Sequence, residues 1–123
     1  MEFFYDSYAL IEFMNASQNY KKYFLQYRGI TTKLNLTEVY YSLLKEIGEE
    51  KAEIAYDSLL ALVVDVDDDT IKRAMKLRLS LRQKNKKLSY IDAIGYQISL
   101  DRGLKFLTGD KEFEELDNVE FVK

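Results

Sequence analysis

Residues 89–110, SYIDAIGYQISLDRGLKFLTGD, contain a complete helix-to-strand unit and decide the fold class of this chain. Ser89–Arg102 is predicted to be a helix, and Gly103 supplies the residue that commonly ends one. The apolar run Leu104–Thr108 has the length and composition of a buried strand. Asp110 follows that strand and opens another predicted helix. A helix joined to a strand in this way is typical of α/β proteins.

The same alternation extends through the rest of the chain. Four further runs are predicted to be strands: Glu2–Tyr5, Ile30–Thr32, Leu62–Val66 and Val119–Val122. Helices are predicted at Ser7–Asn15, Gln18–Arg28, around Leu36–Ile47, and at Glu49–Leu60, Thr70–Asn85 and Asp110–Leu116. Five strands alternating with helices predict one α/β domain over residues 1–123, with a mostly parallel five-stranded sheet covered on both faces.

The 123 residues include no His and no Cys, and these absences exclude several kinds of site. The chain has no disulfide, no thiolate nucleophile, no imidazole base and no zinc or haem held by imidazole. Catalysis would have to use carboxylates, hydroxyls, lysine or arginine. A bound metal would be a hard cation held by oxygen, such as Mg²⁺ or Mn²⁺. Because no apolar run approaches ~20 residues and no signal-peptide pattern is present, we expect a cytoplasmic protein without a membrane partner.

Charge is unevenly distributed, although the net charge is only −3. Residues 46–69 carry nine acidic side chains and one lysine, whereas residues 70–87 carry eight basic side chains and no acid. Asp65, Asp67, Asp68 and Asp69 do not fit an EF-hand loop, because the required glycine and the terminal glutamate are missing. We therefore expect Asp69 or Thr70 to cap the basic helix that follows.

Four acidic residues are predicted at helix N-termini: Asp6, Glu38, Asp92 and Asp110. Each has a local explanation. Asp6 and Asp110 are favourable N-caps, while the pairs Asn35–Glu38 and Ser89–Asp92 have capping-box spacing. For any single position, capping is the simpler interpretation, because acids are common in the first turn of a helix.

The four acids together point beyond capping. Parallel strands end at one edge of a sheet, so Asp6 and Asp110 should approach each other there, and Glu38 and Asp92 would join them if their helices begin at that edge. Two carboxylates ~4 Å apart repel by about 4 kcal/mol at an effective dielectric of 20, whereas a helix N-terminus returns only ~0.3–1 kcal/mol. Such a cluster needs protons or a cation, and oxygen-coordinated Mg²⁺ or Mn²⁺ would serve.

Four segments of the chain resemble the PIN-domain ribonucleases, most closely the VapC-like toxins of prokaryotic toxin–antitoxin pairs. They are YDSYALIEF (5–13), NLTEVYYSLL (35–44), SYIDAIGYQISLDRGLKFLTGDKEFEEL (89–116) and VEFV (119–122). Asp6, Glu38, Asp92 and Asp110 fall on the four acidic positions of the family, and Thr108 falls on the hydroxyl residue of its last motif. The resemblance implies a three-layer α/β/α sandwich and metal-dependent cleavage of RNA.

On this resemblance, we expect an endoribonuclease that uses Mg²⁺ or Mn²⁺, inhibited by a small antitoxin and assembled as a homodimer. The four acids are its predicted catalytic and metal-binding residues, with Asp92 and Asp110 as direct ligands. Asp6 and Glu38 are expected to hold metal-bound waters or a second ion. Thr108 is expected to orient a ligand carboxylate or a phosphate oxygen. Asp101, at the far end of the Asp92 helix, is placed outside the site.

Two alternatives remain open at this point. The first alternative to a toxin is a PIN-fold module without catalysis that binds RNA or protein. The second is an RNA-processing nuclease without an antitoxin. The basic residues closest to the predicted site, Arg82, Lys84, Lys86 and Lys87, are predicted to contact the RNA backbone, with a solvated helix face as the simpler interpretation. The aromatic stripe Tyr20, Tyr23, Phe24 and Tyr27 is predicted to be core, with base stacking or a partner helix as the alternative.

Overall fold

The structure, a computed structural model, describes residues 2–123. In chain order its elements are β1 (Glu2–Tyr5), α1 (Ser7–Met14), α2 (Gln18–Leu25), β2 (Arg28–Ile30), α3 (Lys33–Ile47), α4 (Glu49–Leu59), a 3₁₀ turn (Leu60–Leu62), α5 (Asp68–Gln83), α6 (Tyr90–Arg102), β3 (Lys105–Thr108), a second 3₁₀ turn (Lys111–Phe113) and β4 (Val119–Phe121). None of the helices formed by residues 2–123 combines the length and the apolar character that crossing a membrane requires.

The four strands form a parallel sheet in the order β2–β1–β3–β4. Phe4 on β1 is aligned with Ile30 on β2 and with Phe106 on β3. Because every pairing is parallel, the carboxyl ends of the strands meet at one edge, where ligands bind in open α/β sheets. The predicted α/β class is confirmed.

Helices cover both faces of the sheet and divide the core into two layers. On β1, the side chains of Phe3 and Tyr5 join the cluster formed with α1 to α4, whereas Phe4 joins the cluster formed with α5 and α6. This alternation follows from the two-residue period of a strand. Gly95 lets α6 approach the sheet, because a Cβ there would lie 2.6 Å from the Phe4 ring. The molecule is a three-layer α/β/α sandwich.

The predicted strand Leu62–Val66 does not form, so the expected five-stranded sheet has four strands. Helix α4 continues into the 3₁₀ turn Leu60–Leu62, which uses the first residue of the predicted strand. Only Val63 pairs with the extended chain, in an isolated parallel bridge to Thr31. After this bridge the chain runs to the start of α5. The apolar composition of Leu62–Val66 predicts a strand, but a strand also needs a neighbouring strand to pair with along its length.

Helix α3 begins earlier than its apolar period predicts. Thr32 is the N-cap, and its hydroxyl accepts a hydrogen bond from the backbone N–H of Asn35 at 3.2 Å. Asn35 is therefore inside the helix and is not its cap. Glu38 lies in the second turn rather than the first, so the interpretation of Glu38 as part of a capping box is wrong.

Two other helical segments also differ from expectation. Helix α5 is capped by Asp67, whose carboxylate accepts from the N–H of Thr70 at 2.8 Å, so neither Asp69 nor Thr70 is the cap. Several polar residues before α5 are acceptable caps, and packing selects among them. The predicted helix Asp110–Leu116 is reduced to the 3₁₀ turn Lys111–Phe113, with Asp110 as its N-cap as predicted.

The aromatic stripe of α2 is largely core, as predicted. Tyr20 and Tyr23 are buried, and their hydroxyls donate to the carbonyl of Val122 and to the carboxylate of Glu120. Phe24 is partly buried and stacks on the buried Tyr5 ring at 4.0 Å between centroids. Tyr27, beyond the end of α2, is 40% exposed. The stripe thus anchors α2 against β1 and β4.

Candidate active site

Asp6 stands at the carboxyl end of β1 and is almost completely buried, with 3% of its surface exposed. Its Oδ1 accepts a hydrogen bond from the N–H of Ala9 at 2.8 Å, which caps α1 as predicted. Burial raises the pKa of Asp6 to about 8, and the negative charges of Asp92 and Asp110 add to the effect. Hydrogen bonds from Thr108 and Ala9 oppose it without cancelling it.

Thr108 connects the two acids that follow neighbouring strands. It is the last residue of β3 and is fully buried. Its hydroxyl oxygen accepts a hydrogen bond from the N–H of Asp110 at 3.0 Å, and the hydroxyl also hydrogen-bonds the carboxylate of Asp6. Asp110 in turn accepts from the N–H of Glu112 at 3.0 Å. Thr108 therefore contacts the carboxylate of Asp6 and the backbone of Asp110, while the N–H of Glu112 orients the carboxylate of Asp110.

Asp92 belongs to a reciprocal capping box at the start of α6. The hydroxyl of Ser89 accepts from the N–H of Asp92 at 3.1 Å, and the carboxylate of Asp92 accepts from the N–H of Ser89 at 3.2 Å. The pKa of Asp92 is nevertheless raised, first by burial and then by the charges of Asp110 and Glu38. The cap exists as predicted, and it does not remove the carboxylate from the acidic cluster.

Glu38 is held by a chain of hydrogen bonds that reaches the sheet edge. The hydroxyl of Thr32 donates to Oδ1 of Asn35 at 2.6 Å, and Nδ2 of Asn35 donates to Oγ of Ser7 at 3.0 Å. Ser7 then donates to Oε1 of Glu38 at 2.6 Å. Thr32 and Asn35 are fully buried, so the direction of each donor is fixed by the next acceptor. This network aims the Glu38 carboxylate toward the end of β1.

The four predicted acids influence one another, and protein cations do not neutralise them. Among residues 2–123, no lysine or arginine forms an ion pair with Asp6, Glu38, Asp92 or Asp110. Carboxylate oxygens are the donors that Mg²⁺ and Mn²⁺ prefer, so the donor chemistry fits a hard divalent cation. Within this described range, no three acids are close enough to bind one ion directly together. Two direct ligands, with the other acids acting through water, suit this spacing.

Asp101 and the basic residues lie outside the acidic cluster. Asp101, at the other end of α6, forms a bidentate pair with Arg73 at 2.7 Å. Of the predicted RNA-contacting residues, Arg82, Lys84 and Lys87 are exposed, while Lys86 pairs with Glu115 at 3.2 Å. Lys84 and Lys86 line a groove of about 360 Å³ against the middle of α6 rather than its start. RNA contact by these four residues stays a prediction.

The sequence reasoning did not identify Ser7 and Asn35 as functional residues, although they position Glu38. Both carried a usable signal. Ser7 directly follows Asp6, and Asn35 precedes Glu38 by three residues, which places the two side chains on one helix face. Their connection through space depends on α1 packing against α3, which no local pattern reveals.

Comparison with known proteins gives a consistent family assignment. The PIN domain family model matches residues 3–119. A sequence search of curated proteins found no match.

Solved structures of low sequence identity share the fold over nearly the whole chain. VapC20 of Mycobacterium tuberculosis, a sarcin–ricin loop cleaving toxin, is 20% identical with a TM-score of 0.79, covering 98% of this chain and 99% of that one. A chain of VapBC2 from Rickettsia felis, bound to a promoter DNA fragment, is 16% identical with a TM-score of 0.79 and full coverage of both chains. A chain of a Klebsiella pneumoniae toxin–antitoxin complex is 19% identical with a TM-score of 0.73, covering 95% of this chain and 94% of that one.

In metal-free buffer, Asp6→Asn is expected to gain stability over the wild type as the pH rises from about 4 to 8. The pKa of Asp6 is raised to about 8 in the folded protein, so its contribution is fully present below its ordinary pKa and is lost as the pH rises through the folded value. The difference should be on the order of a few kcal/mol, because a tenfold change in proton affinity equals about 1.4 kcal/mol. Urea unfolding with EDTA at pH 5 and pH 8 measures it.

Asp67→Asn is the matched control, because Asp67 also caps a helix by accepting an N–H at 2.8 Å but is exposed. Hydrogen bonds from Thr70 lower the pKa of Asp67, so its contribution is lost as the pH falls. Asp67→Asn should therefore show no gain at pH 8. If the two variants showed the same change in the free energy of unfolding between pH 5 and pH 8, the charge of Asp6 would not be buried and uncompensated.

Ser7→Ala is expected to lower the affinity for Mn²⁺ by about tenfold, within the range found when a residue that orients a metal ligand is removed. The substitution deletes the donor that fixes the Glu38 carboxylate, while α1 keeps its cap at Asp6. Ser7→Thr preserves the hydroxyl and should bind Mn²⁺ nearly as the wild type does. Calorimetric titration measures both variants, and equal affinities would show that Ser7 does not position Glu38.

Proposed function

This chain belongs to the PIN-domain family, and we propose that it is a divalent-metal-dependent endoribonuclease. The observation that carries the proposal is a set of four acids around the carboxyl edge of a parallel sheet, where burial first and neighbouring negative charges second raise the pKa of Asp6 and Asp92. Among residues 2–123 no lysine or arginine pairs with these acids, so keeping them ionised without a bound cation costs free energy. A hard cation would remove that cost.

Asp92 and Asp110 are the proposed direct ligands of Mg²⁺ or Mn²⁺. Asp6 and Glu38 would accept hydrogen bonds from the waters of the ion or contribute to a second ion. Such an ion would supply a water of lowered pKa and would stabilise charge on the phosphodiester during hydrolysis. The absence of His is no obstacle, because this chemistry requires no imidazole.

The side chains of this protein supply positioning. Thr108 holds the backbone of Asp110 beside the carboxylate of Asp6, and the Ser89 cap restricts the Asp92 carboxylate. Ser7 restricts Glu38 in the same way. Because each acid accepts a hydrogen bond from the fold, little side-chain entropy would remain to be lost when the cation binds. The RNA backbone would approach from the basic α5 side.

We further propose that the nuclease is the toxin of a toxin–antitoxin pair. It would act in the cytoplasm as a homodimer and be inhibited by a small antitoxin protein. Support comes from the similarity of this fold to VapC20 and to chains of toxin–antitoxin complexes. Since these relatives are at most 20% identical, their biology enters here as a hypothesis.

Asp92→Asn is expected to reduce Mn²⁺-dependent cleavage of a mixed RNA pool by on the order of 10²-fold or more, the usual cost of losing a group that stabilises developing charge. Asn can still accept from the N–H of Ser89, so the helix cap survives. Asp101→Asn is the control, because it makes the same change on the same helix at the end that pairs with Arg73. It should leave cleavage unchanged.

Two results would contradict the nuclease proposal. One is RNA cleavage by Asp92→Asn at the wild-type rate. The other is a purified wild-type protein that neither binds Mn²⁺ or Mg²⁺ nor cuts RNA, which would instead support a PIN-fold module without catalysis. Gel analysis of the RNA, with and without EDTA, separates metal-dependent cleavage from contamination.

Expression of the wild type is expected to arrest bacterial growth, and co-expression of the small protein encoded beside it should restore growth. Asp92→Asn should cause no arrest at equal protein level. Growth curves with immunoblots of the expressed chain measure both effects. An active nuclease that causes no arrest would instead indicate an RNA-processing enzyme without an antitoxin.

A further inference from the structure

The basic residues of segment 70–87 differ sharply in their surroundings. Arg73 is neutralised by Asp69 and Asp101, and Lys86 pairs with Glu115. Arg78 forms no ion pair with any residue in the range 2–123 and is only partly exposed. A partly buried arginine without a carboxylate partner keeps a charge that can attract an anion.

The guanidinium of Arg78 is held in place by two contacts. Its Nε donates to the backbone carbonyl of Leu88 at 2.9 Å, and its Cζ lies 4.4 Å from the centroid of the Tyr90 ring. Arginine has five N–H donors, and the described part of the chain uses one of them here. The remaining donors sit on a group whose position is already fixed, so little entropy is lost on binding a phosphate.

Tyr90 completes the pair as an aromatic surface. It is 64% exposed, although tyrosine commonly buries most of its ring in a folded domain. Within residues 2–123 it stacks on no other aromatic ring, so Arg78 is its charged neighbour and the ring stays accessible. Exposed tyrosines beside arginine provide stacking surfaces for unpaired nucleic-acid bases.

The pair and Asp92 are at the same end of α6. Tyr90 is the first residue of α6, and Asp92 lies in the same turn. Leu88, which receives the hydrogen bond from Arg78, immediately precedes the Ser89 cap of that turn. A nucleotide bound by Arg78 and Tyr90 would therefore lie at the same end of α6 as Asp92.

We propose that Arg78 and Tyr90 form a subsite for single-stranded RNA, in which Arg78 binds a backbone phosphate and Tyr90 stacks on an unpaired base beside the cleaved bond. The inference rests on the proposed nuclease function and adds two residues that would bind its RNA. It also separates Arg78 from the four basic residues expected from the sequence, two of which face a groove with Glu115 and Asp117.

The test measures RNA affinity in protein that cannot cleave. Asp110→Asn, in Mg²⁺, serves as the cleavage-deficient background, because asparagine can still accept from the N–H of Glu112. The affinity for a fluorescein-labelled single-stranded RNA of mixed sequence is measured by anisotropy at salt concentrations from about 50 to 300 mM. Over about this range the release of counterions from the RNA makes the logarithm of the affinity fall linearly with the logarithm of the salt concentration. RNA cleavage by the wild-type protein, which keeps Asp110, is measured in parallel in the presence of Mn²⁺.

Arg78→Gln is expected to weaken RNA binding about tenfold and to reduce the slope of log K against log salt by about 0.7, the value for one phosphate contact on a single strand. Lys76→Gln is the matched control, since it removes the same charge from an exposed position of α5. It should change affinity less than about twofold and leave the slope unchanged.

Tyr90→Leu is expected to weaken binding about tenfold with no change in the salt slope, because it removes a stacking surface and not a charge. Tyr90→Phe keeps the ring and should bind like the parent protein. Introduced into the wild type, which keeps Asp110, both Arg78→Gln and Tyr90→Leu should retain the melting temperature and the Mn²⁺ affinity, which a purely structural role at the start of α6 would not allow.

The subsite is overturned if Arg78→Gln matches Lys76→Gln in affinity and slope, or if Tyr90→Leu binds as Tyr90→Phe does. It is also overturned if Arg78→Gln loses Mn²⁺ affinity together with RNA affinity, because Arg78 would then position Asp92 instead. Wild-type cleavage that persists alongside any of these results leaves the nuclease proposal intact. A wild type that cuts no RNA with Mn²⁺ rejects the nuclease proposal separately, whatever the binding data show.

Discussion

The parallel pairing of β1 with β3 is the constraint on which the site depends. Phe4 and Phe106 stand opposite each other, and the N–H of Asp6 donates to the carbonyl of Leu107 at 3.3 Å just past the end of β1. This register brings Asp6 beside Thr108, whose hydroxyl connects the acids after the two strands. A shift of one residue would exchange the two faces of the strand. The register that packs Phe4 against Phe106 is therefore also the register that brings Asp6 beside Thr108.

Burial makes this arrangement electrostatically expensive and chemically useful. The raised pKa of Asp6 reflects a carboxyl group removed from water and placed near other acids, with hydrogen bonds that only partly compensate. Ser7, Thr108 and Ser89 provide neutral donors and helix caps, which orient negative groups without cancelling their charge. The fold thereby leaves the negative charge of these acids uncompensated by any protein cation in the described range 2–123, and the proposed metal would compensate it.

The positive charges are arranged around this centre by packing of α5 against α6. At the far end of α6, Arg73 is neutralised by Asp101, whereas Arg78 meets the start of α6 beside Tyr90 and keeps its charge. The small net charge of −3 thus conceals an acidic centre and a basic approach that nearly cancel in sum. Their separation in space is what would let an RNA backbone be attracted without neutralising the acids that act on it.

The sequence alone determined the α/β class, the stop at Gly103, the caps at Asp6 and Ser89, and the four acids as candidates. Those features depend on period and on contacts between residues a few positions apart. Tertiary structure decided that Val63 forms one bridge and no strand, that Thr32 caps α3, and that Ser7 and Asn35 hold Glu38. It also decided that Arg73 pairs with Asp69 and Asp101 while Arg78 contacts Tyr90. Each of these outcomes rests on contacts between distant segments, and local periodicity carries no record of such contacts.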